Sequence, residues 1–231
     1  MCIYSMPAIV NGEACRVAQV SGVGTLPEYR LRGLNRRLHQ IALAQALPAH
    51  RFAFLFADDE AIPFYRKCGF RPVAAHAVVV PLPATAASPG GIEKIDFSAP
   101  GMRHVLYALA SKRAPISHVF STHNPKLVMY HLLYRFRDHL WFVQALDAVL
   151  LMKIEGPTAT VYDILAHQLP RFGELAAVLA AAGALEAEFR FPVDRLDAPP
   201  GRLRELPGSN VHVMGDFPLG ERPVIPFTSQ A

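Results

Sequence analysis

V-A-Q-V-S-G-V-G-T-L-P-E-Y-R-L-R-G-L-N-R-R-L, residues 17–38, is the stretch on which the reading of the chain turns. Val17 to Thr25 read as a strand, Leu26 to Arg32 as a short turn containing Pro27, and a helix starts at Gly33 or Leu34. A strand that passes through a basic, glycine-bearing loop into a helix N-terminus is an anion-binding device. The helix offers unpaired N–H groups and a partial positive charge, and a glycine lets a phosphate approach the backbone. Arg30 and Arg32 lie in the loop and are expected to meet phosphate, whereas Arg36 and Arg37 read as solvated surface charges.

Working outward, Ile3 to Val10 form a strand that turns at Asn11-Gly12, a strong hairpin signal because both residues accept positive φ. The return strand, Ala14 to Thr25, puts Ala18, Val20, Gly22 and Gly24 on one face, and its two glycines either mark a bulge or clear room for another backbone or a ligand. The helix from Leu34 to about Leu47 sets Leu34, Leu38, Ile41 and Ala42 in an i, i+4, i+7, i+8 stripe, expected to be core, and Pro48 ends it. F-A-F-L-F, Phe52 to Phe56, has the continuous apolar run of a buried strand. Asp58 or Asp59 can cap the next helix, with Pro63 in its first turn and Gly69 at its C-cap; Phe64 and Cys68 read as its core face, with Tyr65 off that pair. Val73 to Leu82 read as a strand.

R-L-R-G-L-N, Arg30 to Asn35, resembles motif A of the GNAT superfamily of N-acetyltransferases, whose signature is Q/R-x-x-G-x-G/A; Asn35 departs from it, standing where Gly or Ala is usual. A-I-P-F-Y-R-K-C-G-F, Ala61 to Phe70, resembles motif B of the same superfamily, and the two together cover about residues 1–82. The resemblance implies that acetyl-CoA is the co-substrate. Arg30, Leu31, Arg32, Gly33, Leu34 and Asn35 would hold its pyrophosphate, the backbone of Val23, Gly24 and Thr25 would pair with the pantetheine arm, and Tyr65 would be catalytic. It also implies that the strand ending near Thr25 splays from its neighbour. A complete member has a strand, two helices and another strand before the equivalent of Ile3, so the first domain reads as N-terminally incomplete, or as completed by another chain.

The chain of 231 residues is 52% hydrophobic and 18% charged, enough for a sizeable core and too few charges for a disordered protein. A net charge of +4 suits an anionic cofactor, and the bases form no stripe that would point to nucleic acid. Cys2, Cys15 and Cys68 include no C-x-x-C pair and read as reduced thiols of a cytoplasmic protein. No signal peptide and no membrane-spanning run is read, so no membrane partner is expected.

P-A-T-A-A-S-P-G-G, residues 83–91, reads as a linker between a domain over 1–82 and another over 92–231. The second half reads as strand Ile92–Phe97, helices Met102–Arg113 and Pro125–Phe136, strands His139–Gln144, Asp147–Ile154 and Thr158–Leu165, helix Phe172–Ala182 and strand Leu185–Phe191. That is the element order of a GNAT core. A-H-Q-L-P-R-F-G-E-L, Ala166 to Leu175, stands where its phosphate loop would be and lacks both the spacing and the arginines. The fold class expected is therefore α/β (α+β): GNAT-like mixed, mostly antiparallel sheets flanked by helices, in two tandem halves, the second degenerate. Tyr130, Tyr134, Phe136, Trp141 and Phe142 read as core.

Acetyl transfer to an amine needs the cofactor held, the amine deprotonated and the leaving thiolate stabilised. A CoA thiol near pKa ~8.5 and a tyrosine near ~10 make direct proton transfer uphill by roughly 2 kcal/mol, so Tyr65 would act by hydrogen bonding and assisted protonation. For the base, Glu28 reads as solvated. The resemblance to tandem enzymes of the enhanced-intracellular-survival type makes the carboxylate of Ala231 a candidate, beside ordered water. No Cys or Ser is placed as a nucleophile, so attack would be direct; the ten histidines make no H-x-x-x-H or H-E-x-x-H arrangement, and no metal is assigned. The expected activity is transfer from acetyl-CoA to a primary amine of a small molecule or peptide. The alternative is a non-catalytic acyl-CoA-binding or partner-binding protein on the same fold, and an unpaired sheet edge makes a homo-oligomer a candidate state.

Overall fold

A computed structural model describes residues 1–83 and 91–231, so the expected linker falls almost entirely outside the described residues. β1 (Cys2–Val10) and β2 (Glu13–Ser21) form the expected antiparallel hairpin, with φ of 50° at Asn11 and 82° at Gly12. A 3₁₀ turn leads into α1 (Leu34–Ala46), followed by β3 (Phe52–Phe56), α2 (Ile62–Lys67), β4 (Arg71–Val73) and β5 (His76–Pro81). After the linker come β6 (Ile92–Lys94), α3 (Met102–Lys112), β7 (Phe120–Thr122), α4 (Pro125–Tyr134), β8 (Leu140–Val143), β9 (Ala148–Glu155), β10 (Thr158–Ala166), α5 (Phe172–Ala181), β11 (Glu186–Phe189), β12 (Arg202–Glu205) and β13 (Val211–Gly215).

Two mixed, mostly antiparallel sheets result. The first has strand order β4-β13-β3-β2-β1-β7 and the second β12-β5-β11-β10-β9-β8-β6; among the described residues only β2–β3 and β10–β11 are parallel. The sheets do not divide at residues 83–91. β5, from before the linker, pairs with β11 and β12, while β7 and β13, from after it, pair with β1 and with β3 and β4. The single strand expected over Val73 to Leu82 is accordingly two strands, one in each sheet. Short strands such as β7 and β13 carry few residues of periodic pattern and were not legible as separate elements.

Helices cover both faces. Ala18 and Val20 of β2 and Leu55 of β3 pack under α1 and α2 with Leu43, Tyr65 and Phe70. The opposite face of that sheet, with Val17, Phe52 and Phe54, is closed by Phe120 and by Leu127 of α4. Val128 and Leu132 of the same helix pack with Leu106 of α3 on the second sheet, so α4 is shared between the two cores. α5 covers the remaining face through Leu175, Val178 and Leu179.

Two expectations about side chains fail. Leu34, Leu38 and Ile41 are 49%, 47% and 51% exposed, whereas His39 and Leu43 are buried. The inward stripe lies one position further along because the His39 ring fits edge-on against Phe64 and Tyr65, at 5.1 and 5.9 Å, with Nδ1 on the Asn35 carbonyl at 2.9 Å. A count of apolar letters passes over that histidine. Tyr130 and Tyr134 are likewise exposed and pack on each other at 5.0 Å, while Phe136 is core.

The seam between β12 and β5 gives a stability test. A Cβ built on Gly201 would sit 2.7 Å from Val78 Cγ1 and 2.8 Å from the Val79 carbonyl oxygen. Gly201→Ala should destabilise by about 1–3 kcal/mol, the cost of overpacking. An unchanged urea midpoint would refute this.

Candidate active site

β2 and β3 pair over only two positions, Ala18 with Ala53 and Gln19 with Phe54, and pair no further. Beyond Gln19 the strands diverge, leaving the β3-facing backbone of β2 unpaired where it runs into Gly22–Thr25. The resemblance implied a splay at this place. Strand β2 itself stops at Ser21, earlier than the expected Thr25, because Gly22 adopts φ of 57°. A side chain at Gly24 would meet no protein atom within 4 Å, so the approach to this backbone is open.

The loop ends at Gly33, in the left-handed region (φ 71°, ψ 6°), as N-cap of α1, and no side chain caps this helix. The first N–H groups of α1 therefore face outward without a capping acceptor. Leu31 also has positive φ, 61°, and its side chain is fully exposed. Arg30 Nε donates to the Thr25 carbonyl at 3.2 Å, Asn35 Nδ2 donates to Thr25 Oγ1 at 3.1 Å, and the Arg32 guanidinium lies 5.4 Å over the Tyr29 ring. Asn35, the departure from motif A, thus ties the loop to the helix. Its Oδ1, together with Nε2 of the fully buried Gln19 at the splay, is buried without a hydrogen-bond partner. An open backbone edge, an uncapped helix start, two exposed loop arginines and two unsatisfied buried polar atoms fit a ligand that carries both phosphates and amide groups.

The second half is built differently at the equivalent place. Arg171 N donates to Glu174 Oε2 at 2.9 Å, so a carboxylate of the chain itself occupies the start of α5. β10 and β11 stay paired over four positions, and the Arg190 N–H adds a bond to the Val161 carbonyl at 2.9 Å. Neither a splay nor an anion site is formed there.

Tyr65 of α2 is 7% exposed and more deeply buried than Phe64 or Cys68, the reverse of the expected order. Burial, and then the charges of Asp58 and Cys68, hold its hydroxyl above the ordinary tyrosine range. His39 and His212 lie beside its ring, at 5.9 and 6.4 Å between centroids, and burial lowers His39 below the ordinary histidine range. His212 comes from β13 and could not be placed here from sequence. Asp58 and Asp59 make no helix cap; Asp59 accepts from Asn210 Nδ2 at 2.6 Å instead.

The C-terminal segment reaches the same strand end. The Ala231 N–H donates to Gln19 Oε1 at 2.9 Å, and the Ser21 hydroxyl donates to the Ala231 oxygen at 3.1 Å. The segment is held along its length: His131 Nε2 lies 2.7 Å from the Gln230 carbonyl oxygen, the Thr122 hydroxyl donates to Ser229 Oγ at 2.7 Å, and the Thr228 hydroxyl donates to Asp163, which also pairs with Arg113. A separate cavity of about 660 Å³ lies between α3 and β6, β8 and β9, and none of these groups lines it. Among the described residues no cluster of three or more His, Cys, Asp or Glu could hold a metal ion, and no helix is long and apolar enough to cross a membrane.

Residues 1–73 match the acetyltransferase (GNAT) domain family model. No curated protein matches the chain. Among solved structures, Eis1 from Mycobacterium abscessus is similar at 18% identity over 93% of this chain and 60% of its own, with a TM-score of 0.55. A conserved protein from Enterococcus faecalis V583 is similar at 14% identity over 91% and 57%, with a TM-score of 0.54. A GCN5-related N-acetyltransferase from Anabaena variabilis ATCC 29413 is similar at 15% identity over 96% and 61%, with a TM-score of 0.50. The chain spans about three fifths of the length of these structures. At such identities the likeness is one of fold.

Proposed function

We propose that the protein is an acetyl-CoA-dependent N-acetyltransferase acting directly on a primary amine. The observation that carries this reading is the divergence of β2 from β3 beside the uncapped start of α1. The N–H groups of Gly33, Leu34 and Asn35, with Arg30, Leu31 and Arg32 around them, would hold the pyrophosphate, and the backbone of Val23 to Thr25 would pair with the pantetheine arm. When bound, acetyl-CoA supplies the acetyl group as a thioester. The acceptor nitrogen bonds to the carbonyl carbon, the carbon–sulfur bond breaks, and the sulfur leaves with the electron pair. The Tyr65 hydroxyl donates a hydrogen bond to that sulfur and assists its protonation. The amine's proton passes to water or to the carboxylate of Ala231, beside the Ser21 hydroxyl. The product pair is an N-acetylated amine and a free thiol.

Titration with acetyl-CoA tests the first half of this reading, and absence of saturable binding at millimolar cofactor rejects it. Arg32→Gln should weaken binding about tenfold, as expected for one charge-assisted hydrogen bond of about 1.5 kcal/mol. Arg30→Gln should weaken it more, because the Thr25 tether is lost as well. Both effects should shrink as salt is raised, and affinities unchanged by both substitutions would place the pyrophosphate elsewhere. Binding without thiol release across a panel of amines would favour a non-catalytic acyl-CoA-binding protein.

A further inference from the structure

A cavity of about 310 Å³ opens at the end of β3, just past the point where that strand has left β2. Its walls come from four parts of the chain: Asp58 just past β3, Arg190 just past β11, the stretch 206–209 between β12 and β13, and Phe227 and Gln230 of the C-terminal segment. Two links tie it to the reacting end of the site. The charge of Asp58 acts on Tyr65, and Gln230 precedes Ala231, which is bonded to β2. The cavity therefore adjoins the C-terminal residue that is bonded to the end of β2.

Its charge is uneven. Glu188 on β11 is wholly buried and pairs with two guanidinium groups, Arg190 through Nε at 2.6 Å and Arg204 of β12. Within this trio one carboxylate faces two guanidiniums. Among the described residues Arg190 is paired only through Nε, its guanidinium lies 5.7 Å over the Tyr162 ring, and its side chain is 25% exposed where it lines the cavity. The two terminal nitrogens of an arginine held in this way present parallel N–H donors at the spacing of a carboxylate. Asp58 gives the other wall a negative charge, and Phe56, Ile225 and Phe227 supply apolar surface between.

Resting on the acyl-transfer reading above, we infer that the acceptor is a primary amine that also carries a carboxylate, an amino-acid-sized zwitterion whose carboxylate is held by Arg190. A polycationic amine would meet the Arg190 guanidinium. A dianion would meet Asp58. A zwitterion with an apolar side chain is matched by all three kinds of wall.

The test begins with binding, which needs no turnover. Calorimetry of the full chain with N-acetylphenylalanine and with N-acetylphenylalaninamide, a product-like pair differing in the carboxylate alone, should show the acid binding at least tenfold tighter. Arg190→Gln leaves Glu188 still paired with Arg204, so no buried charge is orphaned, and it should abolish the difference between the two probes. Equal affinity in the parent chain, or a preference for the acid that survives Arg190→Gln, overturns the assignment. In turnover, phenylalanine should exceed phenethylamine in kcat/KM by at least tenfold; the reverse order overturns it too. Failure of acetyl-CoA to bind, with the acid preferred over the amide, would sink the acyl-transfer reading and leave the carboxylate site standing. Acetyl-CoA bound with the two probes equal would do the opposite.

Discussion

Asp163→Ala should destabilise the protein by about 3–5 kcal/mol, the usual cost of orphaning one member of a buried ion pair. The side chains of Asp163 and Arg113 are 1% and 5% exposed, so removing the carboxylate leaves a guanidinium with neither partner nor water. Asp163 also accepts from the Thr228 hydroxyl and from the Ile164 N–H at 2.8 Å, at a point where the β10 ladder shifts register. Domains of this kind are stable by about 5–15 kcal/mol in all, so the loss is a large share of the total. Replacing both members together, Arg113→Met with Asp163→Leu, should recover most of it, because the penalty is that of an unpaired charge. Urea unfolding checks both statements, and a single variant with the parent's midpoint would show that water reaches the pair. Thr228 lies three residues before the contacts of Ala231 with β2, so the single variant should also lose activity at temperatures where it is still folded.

Tyr65→Phe should lower kcat about a hundredfold while leaving the KM for acetyl-CoA nearly unchanged, the pattern of a group that acts in the transition state alone. The figure is set at the low end for assisted proton transfer for a physical reason. Burial and the charge of Asp58 raise the hydroxyl above the ordinary tyrosine range, which makes outright transfer to a thiolate still more unfavourable and leaves hydrogen bonding as the main contribution. The same shift fixes a sign. The protonated phenol is the working form, so activity should hold, or rise with amine deprotonation, up to at least pH 10. Asp58→Asn removes a negative neighbour and should bring the alkaline limb down. Rates of thiol release measured against pH decide this, and equal kcat for Tyr65→Phe and the parent would remove Tyr65 from the chemistry.

The loop and helix start proposed to bind the anion are legible in the sequence as geometry because their signals are local. Gly33, the arginines and the strand before them lie within a few residues of one another, and a left-handed glycine at a helix start follows from the covalent chain. The acceptor half was not legible. Glu188 and Arg190 neighbour each other on one strand and its extension, Asp58 and Gln230 come from two other places, and only the fold brings the three together. One trace of them was on the page. Glu186, Glu188 and Arg190 alternate along E-A-E-F-R-F, and Arg202 and Arg204 alternate with the same period shortly after, the pattern of charge-matched strands facing one way. The outer stripe of α1 was misread because apolar spacing cannot say which of two adjacent stripes faces inward; the aromatic ring of His39 decided it.

Strand β13 sits between β3 and β4, although some 140 residues separate it from them in sequence. On a ribosome emitting the chain from its beginning, β3 would emerge long before its neighbour and would present bare amides and carbonyls to whatever passed. Such edges recruit other chains, and contacts so distant close slowly. Expression yield should thus hinge on holdase supply during synthesis, and a ribosome stalled before Val211 would carry a sticky, half-built sheet.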